Sequence, residues 1–363
     1  MNRNILIISH EYPPLVGGAG VIAKDLVRKF LNNDDEVTLV TNYIGRDYKS
    51  EYKLIEVKTI PKIRFYNFWN KINKLPLETY DKIILNDIGA CMVGSYYFND
   101  ILLKKTIVFL HGNEPEAICI NPSRWFRIID FKNKYNKLLN KCNCIISVSN
   151  YMKNKFLKYS KWTNLDNKIK VIYNGIDDKI FYYDPINLYN ELNIENKSKL
   201  LLSVGRIVEN KGYLDKYNIF KTIAKDFKYH WIIIGEGNFK TKFKQIIKKD
   251  GLEKYVHFID RVDRDKLRKY YSSVDYFWLL SNYEESLGLV YLEAQFCGTP
   301  AIGRNRAGVK ETIINNKTGY LIENNSEVVE IFKKGEKLKS DNFRKIINKY
   351  SFTENTQILM KFI

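Results

Sequence analysis

The chain has 363 residues, 45% hydrophobic and 14% aromatic, which suits two ordinary domains with buried cores and excludes a disordered protein. No stretch approaches the roughly 18 consecutive apolar residues of a membrane-spanning helix. The apolar run within Met1-Asn-Arg-Asn-Ile-Leu-Ile-Ile-Ser-His-Glu is too short for a signal-peptide core, so a cytoplasmic protein is expected. Lys and Arg outnumber Asp and Glu by 59 to 41, a net +18, and the five scattered cysteines suit reduced thiols rather than a disulfide framework or a zinc site.

In chain order, short apolar runs predict strands over 5–9, 36–41, 54–59, 82–85, 106–110, 144–148 and 170–173. Amphipathic stretches predict helices over 21–31, 90–102, 124–140 and 151–159 between them. After the turn-rich stretch from Asn174 to about Ser198 the pattern restarts. Strands are expected over 199–204, 230–234, 256–259, 276–280, 299–302 and 319–322, and helices near 212–225, 239–249, 264–271 and 288–296. Strand–helix alternation argues for parallel sheets covered on both faces. The expected architecture is therefore α/β, with two Rossmann-like doubly wound domains, 1–178 and 179–345, followed by a terminal segment, 346–363, that crosses back to the first.

Open sheets of this kind bind ligands beyond the carboxyl ends of their strands, so chemistry is sought in the loops that follow each strand. After the first strand, Gly17, Gly18 and Gly20 lead into a helix whose N-terminal N–H groups suit an anion. His111 stands at the end of the fifth strand, placed to donate a hydrogen bond into a ligand site; His10, His230 and His257 read as structural. In the second half Arg206 closes a strand and Lys211 opens the next helix, two cations that suit a diphosphate. The sharpest segment is Ser281-Asn-Tyr-Glu-Glu285-Ser-Leu-Gly288-Leu-Val-Tyr-Leu-Glu293. Glu285 and Glu293 are placed to accept from hydroxyls, while the main chain at Gly288, Leu289 and Val290 forms an anion-binding helix start. Asp263-Arg-Asp265 has the spacing some transferases use for a divalent ion, but at a predicted helix start Asp263 reads as a cap, and no metal is expected to be required.

This ordered set resembles the family-4 retaining glycosyltransferases of GT-B architecture. The resemblance spans nearly the whole chain and rests on Asn174-Gly-Ile-Asp177, Gly205-Arg206 with Lys211-Gly212, Gly235-Glu-Gly237, the Glu285 and Glu293 pair, and Cys297-Gly-Thr-Pro300. It implies a nucleotide diphosphate sugar as donor substrate, with two domains facing a central cleft. Arg206 and Lys211 would hold the diphosphate with the main chain of Gly288 to Val290. Glu293 would bind ribose, Glu285 the donor sugar, and the backbone at Arg261 and Val262 the base. Gly18 would lie near the phosphates and His111 near the donor sugar. The chain departs from the family at Ala307-Gly308-Val309-Lys310-Glu311, where two glycines are common, at Arg304 and Arg306 in the same loop, and at Asp260.

The expected function is transfer of a hexose-type sugar, with retention, to a glycan or lipid-linked acceptor in surface-polysaccharide or glycoconjugate assembly. A non-catalytic or partner-dependent sugar-nucleotide-binding protein of the same fold is the alternative. Ten Lys or Arg between Arg124 and Lys161 face only Asp130 as counter-charge, which suits an anionic membrane surface on the inner face, as do Trp69, Trp125 and Trp162 near basic residues. The competing readings of that stretch are plain solvation and a basic nucleic-acid binder. Nothing resembles a nucleic-acid reading module, and no nucleic acid is expected as partner.

Overall fold

The computed structural model describes residues 2–13, 18–43, 45, 51–224, 226, 228–336, 338 and 342–363. They form two compact units, Met1–Asn174 with Thr356–Ile363, and Gly175–Asn355. The division falls four residues before the boundary expected from sequence, because Ile176 is already stitched into the second unit. Its N–H donates to the Tyr350 carbonyl at 2.6 Å, and its own carbonyl accepts from Phe352 at 2.9 Å. The terminal segment likewise returns to the first unit only from Thr356, not from 346.

The first unit holds seven strands, β1 (Asn4–Ile8), β2 (Glu36–Asn42), β3 (Lys53–Val57), β4 (Lys82–Leu85), β5 (Thr106–Leu110), β6 (Cys144–Ser147) and β7 (Ile169–Val171). Their order is β3-β2-β1-β4-β5-β6-β7, and every pairing is parallel. The second unit holds β8 (Lys199–Val204), β9 (Tyr229–Ile234), β10 (Val256–Ile259), β11 (Tyr276–Leu279), β12 (Ala301–Arg304) and β13 (Gly319–Ile322). Their order is β10-β9-β8-β11-β12-β13, again all parallel. In both units the chain winds outward from its first strand and then reverses to the other side of it. The reversal points lie at β1/β4 and β8/β11, where doubly wound sheets receive ligands.

Both central strands are buried on both faces, as parallel sheets require: Ile5, Leu6, Ile7 and Ile8 are fully inaccessible, as are Leu200, Leu201 and Leu202. One polar knot lies inside the second core. The Lys216 Nζ donates to Ser203 Oγ at 3.0 Å, above the ring of Tyr213 at 4.0 Å and beside that of Trp231 at 5.1 Å. Burial pushes this amine well below the usual lysine range, with Lys211 acting in the same direction. The cysteines are free thiols, four of them buried and Cys119 half-buried. Burial raises the Cys144 thiol to about 11, which leaves it protonated and unreactive at neutral pH.

Candidate donor site at the strand ends

In the second unit the loops after β8, β9 and β11 interlock through glycine. A Cβ on Gly235 would lie 2.0 Å from the Gly205 carbonyl oxygen, and one on Gly212 would lie 1.9 Å from that of Leu280. No side chain fits at either place, so the turn carrying Lys211 closes directly on the end of β11. The Asn210 carbonyl secures it, accepting the N–H groups of Asn282 at 2.8 Å and Tyr283 at 3.1 Å.

That closure brings Lys211 to Glu285, Nζ to Oε1 2.5 Å, with side chains 17% and 15% exposed. The Glu285 carbonyl accepts from the Gly308 N–H at 2.9 Å, so the loop after β12 packs on the same segment. Three residues beyond Glu285, Gly288 adopts φ +87 and starts the helix Leu289–Phe296. Its first N–H groups have no partner within the helix, which makes this end receptive to an anion. Gly288, Leu289 and Val290 are half-buried, and Arg206 is exposed just beyond β8. Arg206, Lys211, Glu285 and the helix start thus all flank the β8/β11 reversal.

Glu293 is 5% exposed on that helix, and its carboxylate is held by its own unit: Oε1 accepts from Arg264 Nε at 3.3 Å, Oε2 from the Tyr271 hydroxyl at 3.1 Å. Sequence reasoning passed over both partners. Arg261 is exposed and Val262 half-buried in the segment after β10. Arg304 and Arg306 are engaged locally, Arg304 with Asp215 at 2.9 Å and Arg306 with the Ser281 carbonyl at 2.5 Å. One local expectation is corrected. The helix after Asp263 starts later, at Leu267, with Lys266 at its cap position and no side-chain cap. Asp263 meets instead the Lys266 ammonium at 3.6 Å, an exposed pair of little energetic weight. Among the described residues no group of three or more His, Cys, Asp or Glu is arranged to hold a metal ion.

In the first unit Gly18 starts the helix Gly18–Leu31 with open space where a side chain would stand, and Gly17 lies outside the described residues. His111 follows β5. Its N–H and that of Gly112 donate to the two carboxylate oxygens of Glu114 at 2.9 and 2.7 Å, and its Nε2 lies 3.2 Å from Asn86 Oδ1. Asn86 and Asp87, directly after β4, went unnoticed in the sequence, although the strand-end rule used for the other loops points to them equally. Asp87 receives the His10 N–H at 2.5 Å, faces His10 Nδ1 at 3.1 Å and caps the following helix through the Ala90 N–H at 2.8 Å. Burial alone would raise its pKa; the His10 ring and these hydrogen bonds outweigh it and hold the carboxyl at about 2. His10 itself stacks on Phe68 at 4.0 Å.

Two family descriptions together cover most of the chain, Glycosyltransferase Family 4 over residues 16–179 and Glycosyl transferases group 1 over 187–354. The chain is a GT-B glycosyltransferase of the family-4 type. An uncharacterized glycosyltransferase of Methanocaldococcus jannaschii is 26% identical over 341 residues, 88% of this chain and 84% of that protein. The N-acetyl-alpha-D-glucosaminyl L-malate synthase of Bacillus anthracis is 24% identical over 331 residues, 85% of this chain and 81% of that enzyme. Among solved structures, Anabaena HepE in complex with UDP and glucose superposes with a TM-score of 0.79 at 19% identity, over 99% of both chains. This glycosyltransferase shares their fold.

The basic stretch of the first unit is largely open to solvent: eight of the ten Lys and Arg between Arg124 and Lys161 are exposed, while Lys155 is buried against Glu116. The three tryptophans expected near basic residues are all half-buried. Trp69 stacks on Tyr97 at 4.8 Å, Trp162 lies against Phe156 at 5.9 Å, and Trp125 is half-buried. Ile128, 67% exposed, and Tyr159, 41% exposed, reach out among these cations. No helix among the described residues is long and apolar enough to cross a membrane.

Proposed function

We propose that this glycosyltransferase moves a hexose-type sugar from a nucleotide diphosphate sugar to a glycan or lipid-linked acceptor, with retention of anomeric configuration. The observation that carries the reading is the gathering of Arg206, Lys211, Glu285 and the start of the helix Leu289–Phe296 about one strand reversal. A departing diphosphate needs charge neutralisation more than covalent help, and two cations with a helix end supply it. The UDP and glucose bound by Anabaena HepE support uridine diphosphate as the carrier.

In this reading Lys211 and Arg206 meet the diphosphate, and Glu285 accepts from hydroxyls of the sugar. Glu293, oriented by Arg264 and Tyr271, accepts from the ribose, and the backbone at Arg261 and Val262 meets the base. The bond from the anomeric carbon to the diphosphate breaks as the bond to the acceptor oxygen forms on the same face. The acceptor's proton passes to the leaving diphosphate oxygen, so no protein carboxylate need act as nucleophile. No metal takes part in this scheme.

Consumption of UDP-sugars by the purified chain, with the anomeric configuration of the product read by proton NMR, tests the proposal. An α-linked donor yielding an α-linked product, undiminished in chelator, is expected. A β-linked product overturns retention, and complete loss of activity in chelator overturns the metal-free scheme.

A further inference from the structure

The carboxyl edge of the first sheet carries polar machinery that donor binding by the second unit leaves unused. Its centre is Asn86, fully buried at the end of β4. The amide nitrogen donates to Ser9 Oγ at 2.9 Å and to the Ala19 carbonyl at 2.9 Å. The Ser9 hydroxyl spends its own proton on the Glu11 carbonyl at 2.7 Å and so receives from Asn86. A carbonyl oxygen can only accept, so the side of the amide facing Ala19 must be nitrogen, and the side facing His111 must be oxygen. An amide oxygen has no proton to give. The 3.2 Å contact between Asn86 Oδ1 and His111 Nε2 therefore requires the imidazole proton on Nε2. In the neutral ring Nδ1 then keeps its lone pair, and this atom is out of solvent with no partner among the described residues.

We propose that Asn86 is a positioning residue that holds the His111 ring as its Nε2-protonated tautomer, taking up the one N–H of the neutral imidazole so that none is left to donate to a ligand. This removes the donor role that the sequence suggests for His111. The place of the ring proton does not rest on the glycosyl-transfer reading. The charged groups about this cluster are Glu114, which accepts from the backbone of His111 and Gly112, and Asp87, which is paired with His10.

Nitrogen-15 NMR of the full chain at slightly alkaline pH, with His111→Gln to assign the signal, reads the tautomer directly. The Nε2-protonated form is expected in the wild-type chain, and a mixture of both neutral forms in Asn86→Ala. An Nδ1-protonated ring in the wild type, or an unchanged pattern in Asn86→Ala, overturns the proposal. The expected tautomer with no turnover of any UDP-sugar by the wild type overturns glycosyl transfer instead, and supports the proton assignment.

Discussion

Lys211 and Glu285 meet at 2.5 Å with both side chains largely out of water, so each determines the cost of removing the other. Lys211→Ala leaves a half-buried carboxylate without its cation and withdraws a charge from the leaving group. Turnover of the preferred UDP-sugar is expected to fall by about 10²–10³-fold, the usual cost of one preorganised charge-stabilising contact, with the melting temperature showing a folded protein. Turnover within a factor of three of wild type would remove Lys211 from the chemistry. Lys29 offers a test of a different kind. It is 3% exposed, and its ammonium donates to the Asn174 carbonyl at 3.1 Å. Burial, reinforced by Arg28 and opposed by Asp25, lowers its pKa from 10.5 to about 8. Between those values the unfolded chain keeps a proton that the folded chain has released, so unfolding free energy rises with pH across the window. The contribution over the full window is about 3 kcal/mol. Urea unfolding at several pH values should show this slope in the wild type and a shallower one in Lys29→Met; parallel curves would contradict it.

At the scale of elements, what the sequence made legible follows from which signals are local. Runs such as Ile5–Ile8 and Leu200–Leu202 announce buried parallel strands by themselves, and the structure places strands there. Breaks within helical patterns are less visible, because periodicity continues across them. The stretch expected as one helix over 90–102 is two, Ile88–Tyr97 and Asp100–Lys105, since Asn99 turns the chain and its side chain caps the Leu102 N–H at 3.0 Å. Asn99→Ala should therefore cost about 1 kcal/mol in thermal or urea unfolding, and no measurable loss would show the cap to be idle. The stretch over 124–140 divides in the same way at Asp130, whose φ of +50 interrupts the helix. The helix Arg64–Ile72, which buries Phe68 and Ile72 and packs Phe65 and Trp69 on the core beside them, was not read from the sequence. In the site, Arg206, Lys211, Glu285, Gly288 and Glu293 were legible from their places after strands. Tyr271 and Arg264 act through contacts 22 and 29 residues away in sequence, which no local pattern encodes, whereas Asn86 and Asp87 stand at a strand end that the same rule covers. Gly288 joins the two kinds of signal. Its φ of +87 is open to glycine at little cost, and a Cβ there would lie 2.7 Å from the Tyr291 ring. Gly288→Ala should weaken UDP binding by displacing the helix start, and unchanged affinity would show that the helix end is not used.

At the scale of the whole molecule, the same strand winding occurs twice, and each copy brings its own polar cluster to a reversal point. The two clusters differ in character. The one at β8/β11 carries exposed and half-buried cations beside a helix start, while the one at β1/β4 joins buried Ser9, His10 and Asn86 to half-buried Asp87. For the exposed cations about Ile128 we propose an anionic bilayer surface as partner. Flotation with vesicles rich in phosphatidylglycerol should carry the wild-type chain upward at low salt, and Arg124→Glu with Arg127→Glu should abolish the shift. A wild-type protein that stays at the bottom would end the membrane reading. The central claim, that the β8/β11 cluster holds a diphosphate, is tested most directly by calorimetric titration of UDP and uridine into wild-type and Arg206→Ala protein. UDP affinity should drop at least about ten-fold in the variant, matching the loss of one charge-assisted contact, while uridine binding stays the same. Equal UDP affinities in the two proteins would contradict the account.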